Sequence, residues 1–148
     1  MMESMLTIPD NDMYKLAVSS LNYANAYYTT FGKSVENSNS RFNNELLYQM
    51  AVMSLEKYFV ALLACYDRMA SHHMPVAMYK EAQLFEPELT DEMKQTVTLA
   101  GKFEAICSMS DFGYKAPERE DLKLINKGIY NIRMLVEKRV AEIAAEAF

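Results

Sequence analysis

Apolar residues recur every three or four positions along much of the chain, which is the period of an α-helix. The clearest stripe lies near the end of the sequence and consists of Leu122, Ile125, Ile129, Ile132, Val136, Val140 and Ile143. Pro117 precedes this stripe, and proline suits the first turn of a helix because its missing N–H has no partner there. We therefore expect the last helix to begin at Pro117. Lys138 and Arg139 fall toward its C-terminal end, where cations favour the helix dipole.

A second long helix is predicted from Arg41 to Ala70, with Ser38 or Ser40 as its N-cap. One stripe of this helix consists of Leu55, Phe59, Leu62, Tyr66 and Met69, and further apolar residues on its other faces are Val52, Val60, Leu63 and Cys65. A helix that is apolar nearly all round is usually central. We therefore expect this helix to be the most buried element.

The first helix is predicted from Asp12 to Thr30, capped by Asn11 or Asp12. Its apolar stripe consists of Tyr14, Val18, Leu21 and Tyr28. Gly32 follows it, where a left-handed residue commonly ends a helix. Residues 1–11 are expected to form a flexible N-terminus.

Two further helices are predicted between the breaks at Ser71–Met74 and Glu86–Glu88. A short one runs from Pro75 to Leu84, and another, capped by Thr90, runs to Met109. Only four glycines and four prolines occur, too few for the turns of an all-β sandwich or barrel. The sequence thus predicts an all-α fold, an antiparallel bundle of four main helices plus one short helix, with residues 1–148 forming a single domain.

Charge and cysteine content narrow the classes of function. The net charge is −5 and neither half of the chain is basic, so broad binding to a nucleic-acid backbone is not favoured. Cys65 and Cys107 sit in apolar helical stretches, which is typical of buried free thiols. The N-terminus lacks the pattern of a signal peptide, and the most apolar run, Tyr58–Tyr66, is too short to span a bilayer. We expect a cytoplasmic protein without a membrane association.

Polar residues that could carry chemistry are few. Arg68 with His72 and His73 can hold a phosphate and move a proton, but the same residues also suit a solvated helix end. Lys123 and Lys127 lie one turn apart and share a helix face, where they can contact the phosphates of a nucleotide or remain solvated.

Metal, nucleotide and nucleophile motifs are missing. A di-iron bundle needs Glu-x-x-His on two helices, whereas no glutamate lies three residues before His72 or His73. The two cysteines and two histidines lack the paired spacing of a zinc site. The sequence also contains no P-loop, no G-x-G-x-x-G and no G-x-S-x-G turn. We therefore expect neither a metal nor a cofactor.

Tyrosine and methionine are abundant, with ten and twelve copies. Tyr23, Tyr27 and Tyr28 cluster late in the first predicted helix. Tyrosine combines apolar area with a polar tip, and methionine adapts to irregular surfaces, so both suit a protein interface as well as a core. Part of this surplus is expected to form a subunit interface.

The segment Ser54–Ala64, with Glu-Lys followed by alanine and leucine, resembles the second helix of the HEPN domain family. The short helix from Pro75, the segment Tyr114-Lys115-Ala116-Pro117 and the apolar last helix are similar to that family as well, so that the resemblance covers about two-thirds of the chain. It implies an α-helical bundle, often dimeric, and frequently encoded beside a nucleotidyltransferase. Some members of the family are ribonucleases.

The ribonuclease motif of the family is an arginine, four to six residues, and a histidine, placed just before the last long helix. Here Gly113-Tyr114 resembles the end of that motif, but Cys107 and Phe112 stand where arginine and histidine would be. The resemblance therefore implies a non-catalytic binding domain, a homodimer whose further partner is a protein, such as a nucleotidyltransferase, or a nucleotide. Arg68 and His73 have the spacing of the motif at another place, so one alternative is a ribonuclease that uses them. A purely structural interaction module is the third hypothesis.

Overall fold

The computed structural model describes residues 10–37, 39–103 and 116–147, which form five helices and no strand. These helices are α1 (Asn11–Val35), α2 (Asn44–Cys65), α3 (Pro75–Gln83), α4 (Asp91–Gly101) and α5 (Arg119–Ala147). The prediction of an all-α fold is confirmed for this part of the chain. The predicted end of α4 at Met109 was wrong, because α4 ends at Gly101 with Lys102 as its C-cap. Residues 104–109 of that prediction and residues 1–9 of the predicted flexible N-terminus lie outside the described residues.

Three of the helices begin at a side chain that accepts a backbone hydrogen bond. Thr90 caps α4 as predicted, with its Oγ1 3.2 Å from the Met93 nitrogen. For α1 the cap is Asp10, not Asn11 or Asp12, so the helix begins inside the stretch predicted to be flexible. A short side chain with an oxygen suits an N-cap, and several such residues in a row leave the choice among them open.

The cap of α2 is Asn43, whose Oδ1 lies 2.8 Å from the Leu46 nitrogen. The predicted cap Ser40 instead accepts a hydrogen bond from the Phe42 nitrogen inside the preceding loop, and the other candidate, Ser38, is not described. The predicted start of α2 at Arg41 was therefore wrong by one turn.

The C-terminal end of α2 lies earlier than the predicted Ala70, because Asp67 adopts a left-handed conformation with φ of 60°. The Arg68 nitrogen donates to the Leu63 oxygen and the Asp67 nitrogen to the Ala64 oxygen, each at 3.0 Å. These are the two hydrogen bonds of a Schellman motif, which ends a helix most often at glycine. Aspartate tolerates this conformation better than most residues, so the helix ends without the usual sequence signal.

The opposite error occurs in α1, which continues past Thr30 and Gly32 to Val35. Phe31 and Val35 are buried, so the extra turn adds to the apolar core. Gly32 is helical, and a Cβ there would lie 3.3 Å from Asn126 Oδ1 of α5. Gly32 is therefore a position of close helix packing, not a helix end.

Helix α2 is central, as predicted, since it contacts each of the other four helices. Its buried residues lie on all sides of the helix, and the largest include Leu47, Leu55, Tyr58, Phe59, Leu62 and Leu63. By length and hydropathy alone α2, which is longer than the run Tyr58–Tyr66, could also cross a membrane. The other helices, however, bury 56% of its most apolar window, as expected of a core helix.

The predicted stripe of α5 is confirmed, because all seven of its residues from Leu122 to Ile143 are buried. The helix begins at Arg119, two residues after the predicted Pro117. Asn44 of α2 holds this start in place: its Nδ2 donates to the Pro117 oxygen, and its Oδ1 accepts from Arg119 Nε at 2.9 Å.

Gly128 of α5 lies directly against Thr96 of α4. A Cβ at Gly128 would lie 1.9 Å from Thr96 Oγ1 and 2.7 Å from Thr96 Cβ, well inside van der Waals contact. Thr96 is itself buried, and its hydroxyl donates to the Glu92 oxygen at 3.2 Å. The absence of a side chain at Gly128 therefore sets the distance between α4 and α5.

Candidate functional site

The sequence-predicted cluster of Arg68, His72 and His73 lies on the exposed segment between α2 and α3. The guanidinium of Arg68 covers the ring of Phe85, 4.8 Å from its centre. His73 Nδ1 is 3.4 Å from Glu56 Oε2 of α2, with the imidazole almost fully exposed to solvent. Arg68 and His73 are thus held by different partners, and no hydrogen bond between them is recorded among the described residues.

Lys123 and Lys127 lie on the outer surface of α5. Lys123 Nζ is 3.5 Å from Glu120 Oε1, one turn earlier on the same helix. Lys127 is exposed, and the apolar side chains around it on this surface are Leu124, Tyr130 and Met134, each about half exposed. We call these residues the α5 outer face.

A buried ion cluster that sequence reasoning missed joins α5 to the connection between α3 and α4. Arg139 is 7% exposed and Glu86 is 2% exposed. Arg139 donates from Nε to Glu86 Oε1 at 2.7 Å and from Nη2 to Glu86 Oε2 at 2.9 Å. This bidentate arrangement is the strongest pairing that arginine makes with a carboxylate.

Further groups complete the cluster around this pair. The Tyr66 hydroxyl donates to Glu86 Oε1 at 2.8 Å, and the Glu88 nitrogen donates to Glu86 Oε2 at 2.8 Å. Arg139 also donates to Glu142 at 3.1 Å and to Glu88, and Lys138 donates to Glu88 at 3.1 Å. Arg139 is therefore more than a cation near the helix end, because its charge is buried and paired with three glutamates.

The electrostatics of the cluster favour its charged form. Burial by itself raises the pKa of Glu86, but hydrogen bonds from Arg139, the Glu88 backbone and Tyr66 outweigh burial and hold that pKa below its ordinary value. The hydrogen bonds that Arg139 donates to Glu86 raise the pKa of Arg139. Burial, with a smaller contribution from Glu86, raises the pKa of the nearby Cys65 to about 12. Cys65 is thus a buried, protonated thiol, as predicted for a core cysteine, and Cys107 lies outside the described residues.

The lowered pKa of Glu86 predicts an acid-labile component of stability. A carboxylate whose pKa is depressed in the folded state stabilises the fold above its unfolded pKa of about 4.3 and loses that contribution as the pH falls through the folded pKa. Urea unfolding from pH 7 downward should therefore show a smaller loss of stability in acid for Glu86→Gln than for wild type. The control is Glu120→Gln, since the Glu120 side chain is 82% exposed. Equal pH slopes for Glu86→Gln and wild type would contradict the prediction.

A second polar cluster lies between α1, α2 and α5. The Tyr58 hydroxyl donates to Asn25 Oδ1 at 2.6 Å, and Asn25 Nδ2 donates to Glu137 Oε2 at 3.3 Å. The Tyr28 hydroxyl reaches the Asn126 oxygen at 3.3 Å, and the guanidinium of Arg133 lies 5.8 Å from the centre of the Tyr28 ring. Tyr28 therefore belongs to the packing between helices and not to the exposed tyrosine surface.

The other two tyrosines of α1 contribute to an apolar surface. Tyr23, Ala26, Tyr27 and Thr30 of α1, with Met50 of α2, line an open depression of about 270 Å³. Tyr23 is 61% exposed. We call these five residues the α1/α2 outer face. Leu46, one turn before Met50, is 41% exposed and extends it along α2.

This face stands in a long uncharged stretch of each helix. No aspartate, glutamate, lysine or arginine occurs between Lys15 and Lys33 on α1, or between Glu45 and Glu56 on α2. Exposed helix surfaces are ordinarily rich in charged residues. The α1/α2 outer face is thus both apolar and neutral, a combination typical of the centre of a protein interface.

No group of three or more His, Cys, Asp or Glu residues that could hold a metal ion occurs within the described ranges. Comparisons with models of protein families, with curated proteins and with solved structures find no match to this chain.

Proposed function

We propose that this chain is a non-catalytic helical binding domain that acts as a homodimer. The observation that carries the proposal is the α1/α2 outer face, where an exposed tyrosine and a methionine surround a depression in an uncharged surface. Such a surface binds by shape and apolar contact, since it offers no charged group to a polar substrate.

The resemblance to the HEPN family supports the same function. The resembling segment Ser54–Ala64 lies within α2, and the buried residues Tyr58, Phe59 and Leu62 of this segment belong to the core. On this resemblance we further propose that the homodimer binds a second protein, for which a nucleotidyltransferase is a candidate.

A ribonuclease that uses Arg68 and His73 is the second candidate, and one observation favours it. A carboxylate beside an imidazole orients the ring, and Glu56 Oε2 lies 3.4 Å from His73 Nδ1. The imidazole is nevertheless 87% exposed, and Arg68 is turned onto Phe85.

Light scattering and incubation with RNA test the two candidates together. Purified wild-type protein at tens of micromolar is expected to have twice the 17.0 kDa mass of one chain and to leave mixed RNA intact. A strict monomer would overturn the homodimer. RNA cleavage that is lost in His73→Ala and kept in His72→Ala would replace the binding domain with the ribonuclease, and His72→Ala is the matched control because both imidazoles lie on the same exposed segment.

A further inference from the structure

We infer that the α1/α2 outer face is the surface through which two copies of this chain join, each presenting the same face to the other. This inference rests on the proposed homodimer and assigns its interface. It starts from the charge of the molecule: at a net charge of −5 two copies repel each other, and surfaces that carry no charge add no like-charge contact to that repulsion when they meet.

A contact between identical faces related by a two-fold axis brings equivalent residues close together. Any charge near the axis would meet its own copy, and like charges in contact cost several kcal/mol. Residues 16–32 of α1 and 46–55 of α2 carry no charge, so the α1/α2 outer face satisfies this requirement.

The α5 outer face, a second exposed apolar surface in the described part of the chain, does not meet the same condition. Leu124, Tyr130 and Met134 are exposed there, but Lys127 lies among them and Lys123 beside them. Two copies joined through this surface would bring lysines together.

The shape of the α1/α2 outer face suits the association of two copies. Tyr23 is exposed on it, while Ala26 and Thr30, one turn apart, have short side chains beside the depression of about 270 Å³. A large side chain next to a hollow on the same face allows each copy to place its Tyr23 against the hollow of the other. Residues 16–32 extend about 25 Å at about 1.5 Å per residue.

The test introduces charge at this face. Tyr23→Glu is expected to weaken the homodimer at least about 100-fold in sedimentation over a wide range of concentration, because it places like charges across the axis. The matched control is Tyr130→Glu, the same change at a tyrosine of similar exposure, 52%, on the α5 outer face. It should leave the dimer intact. Circular dichroism checks that both variants keep the helical content of wild type.

Two variants with opposite charges at position 23 test the same interface a second time. Tyr23→Glu and Tyr23→Lys should each be monomeric alone and should form a mixed dimer when combined. A dimer that survives Tyr23→Glu, or that Tyr130→Glu dissociates instead, would overturn this interface while leaving the homodimer standing. A monomeric wild type would overturn the homodimer itself, so the two failures are distinguishable.

Discussion

Replacing Arg139 with alanine should destabilise the fold by about 3–5 kcal/mol, because the change removes one partner of a buried ion pair and leaves the other charge without compensation. Glu86 would lose both bonds of the bidentate contact at a position only 2% exposed. Glu88 and Glu142, which also approach Arg139, would add repulsion between carboxylates. Urea unfolding at neutral pH measures this loss of stability.

Two further variants distinguish the loss of the buried ion pair from a non-specific loss of stability caused by substitution in this region. Lys138→Ala, at the adjacent and half-exposed lysine that pairs with Glu88, should cost less than about 1 kcal/mol. The double variant Arg139→Met/Glu86→Leu should recover part of the stability lost in Arg139→Ala, since apolar residues of similar volume often replace a buried pair without loss. The recovery is incomplete because the Tyr66 hydroxyl and the Glu88 nitrogen lose their acceptor. If Arg139→Ala costs no more than Lys138→Ala, the buried pair does not have the role assigned to it.

Gly128→Ala should destabilise the protein by about 1–3 kcal/mol through overpacking, although alanine is the better helix former by about 1 kcal/mol. The added methyl group would lie 1.9 Å from Thr96 Oγ1 and 2.7 Å from both Thr96 Cβ and Cγ2, so α4 and α5 must move apart. A shift of α4 in turn disturbs the buried contacts of Val97 and Ala100. Thermal unfolding followed by circular dichroism measures the loss.

Gly32→Ala is the matched control, because it is the same substitution in another helix interior. The new methyl group would meet only Asn126 Oδ1, at 3.3 Å, and that oxygen has no hydrogen-bond partner in the described part of the chain. The variant should therefore stay within about 1 kcal/mol of wild type. Thr96→Gly combined with Gly128→Ala should restore the close approach. Equal effects of the two Gly→Ala changes would show that Gly128 is not a contact point.

The periodicity of apolar residues predicts the buried face of α5, but in α1 the predicted stripe is only partly buried and the buried positions include Ala17, Ala24 and Phe31 instead. The stripe from Leu122 to Ile143 is buried throughout, because the phase of a helix depends on many residues that all favour the same side. Helix ends depend on one or two residues. Asp67 ends α2 in a left-handed conformation that glycine would ordinarily supply, and Gly32, which does suggest an end, lies inside α1.

The buried ion cluster shows a second limit of prediction from the sequence. Glu86 lies in a Glu-Pro-Glu segment that is polar in sequence and reads as an exposed connection. Its burial depends on Arg139, 53 positions later in the chain, and a local sequence pattern does not indicate a contact between residues so far apart. The sequence did contain one indication that Arg139 is buried: Arg139 stands three residues after Val136 and four before Ile143, on the same side of the helix as the buried stripe.

For the candidate site, the tyrosine and methionine content indicated an interface but did not locate it, because the sequence does not show which tyrosines of α1 point outward.

The distance along the chain between Arg139 and its partners also bears on how the protein folds. A contact between such remote residues closes a large loop, and the entropy of that closure must be offset before the contact can stabilise anything. The Glu86–Arg139 pair is therefore expected to form after the local contacts of the helices. Interactions that form late slow unfolding more than they speed folding. We therefore expect the cluster to slow unfolding and so to lengthen the lifetime of the folded state.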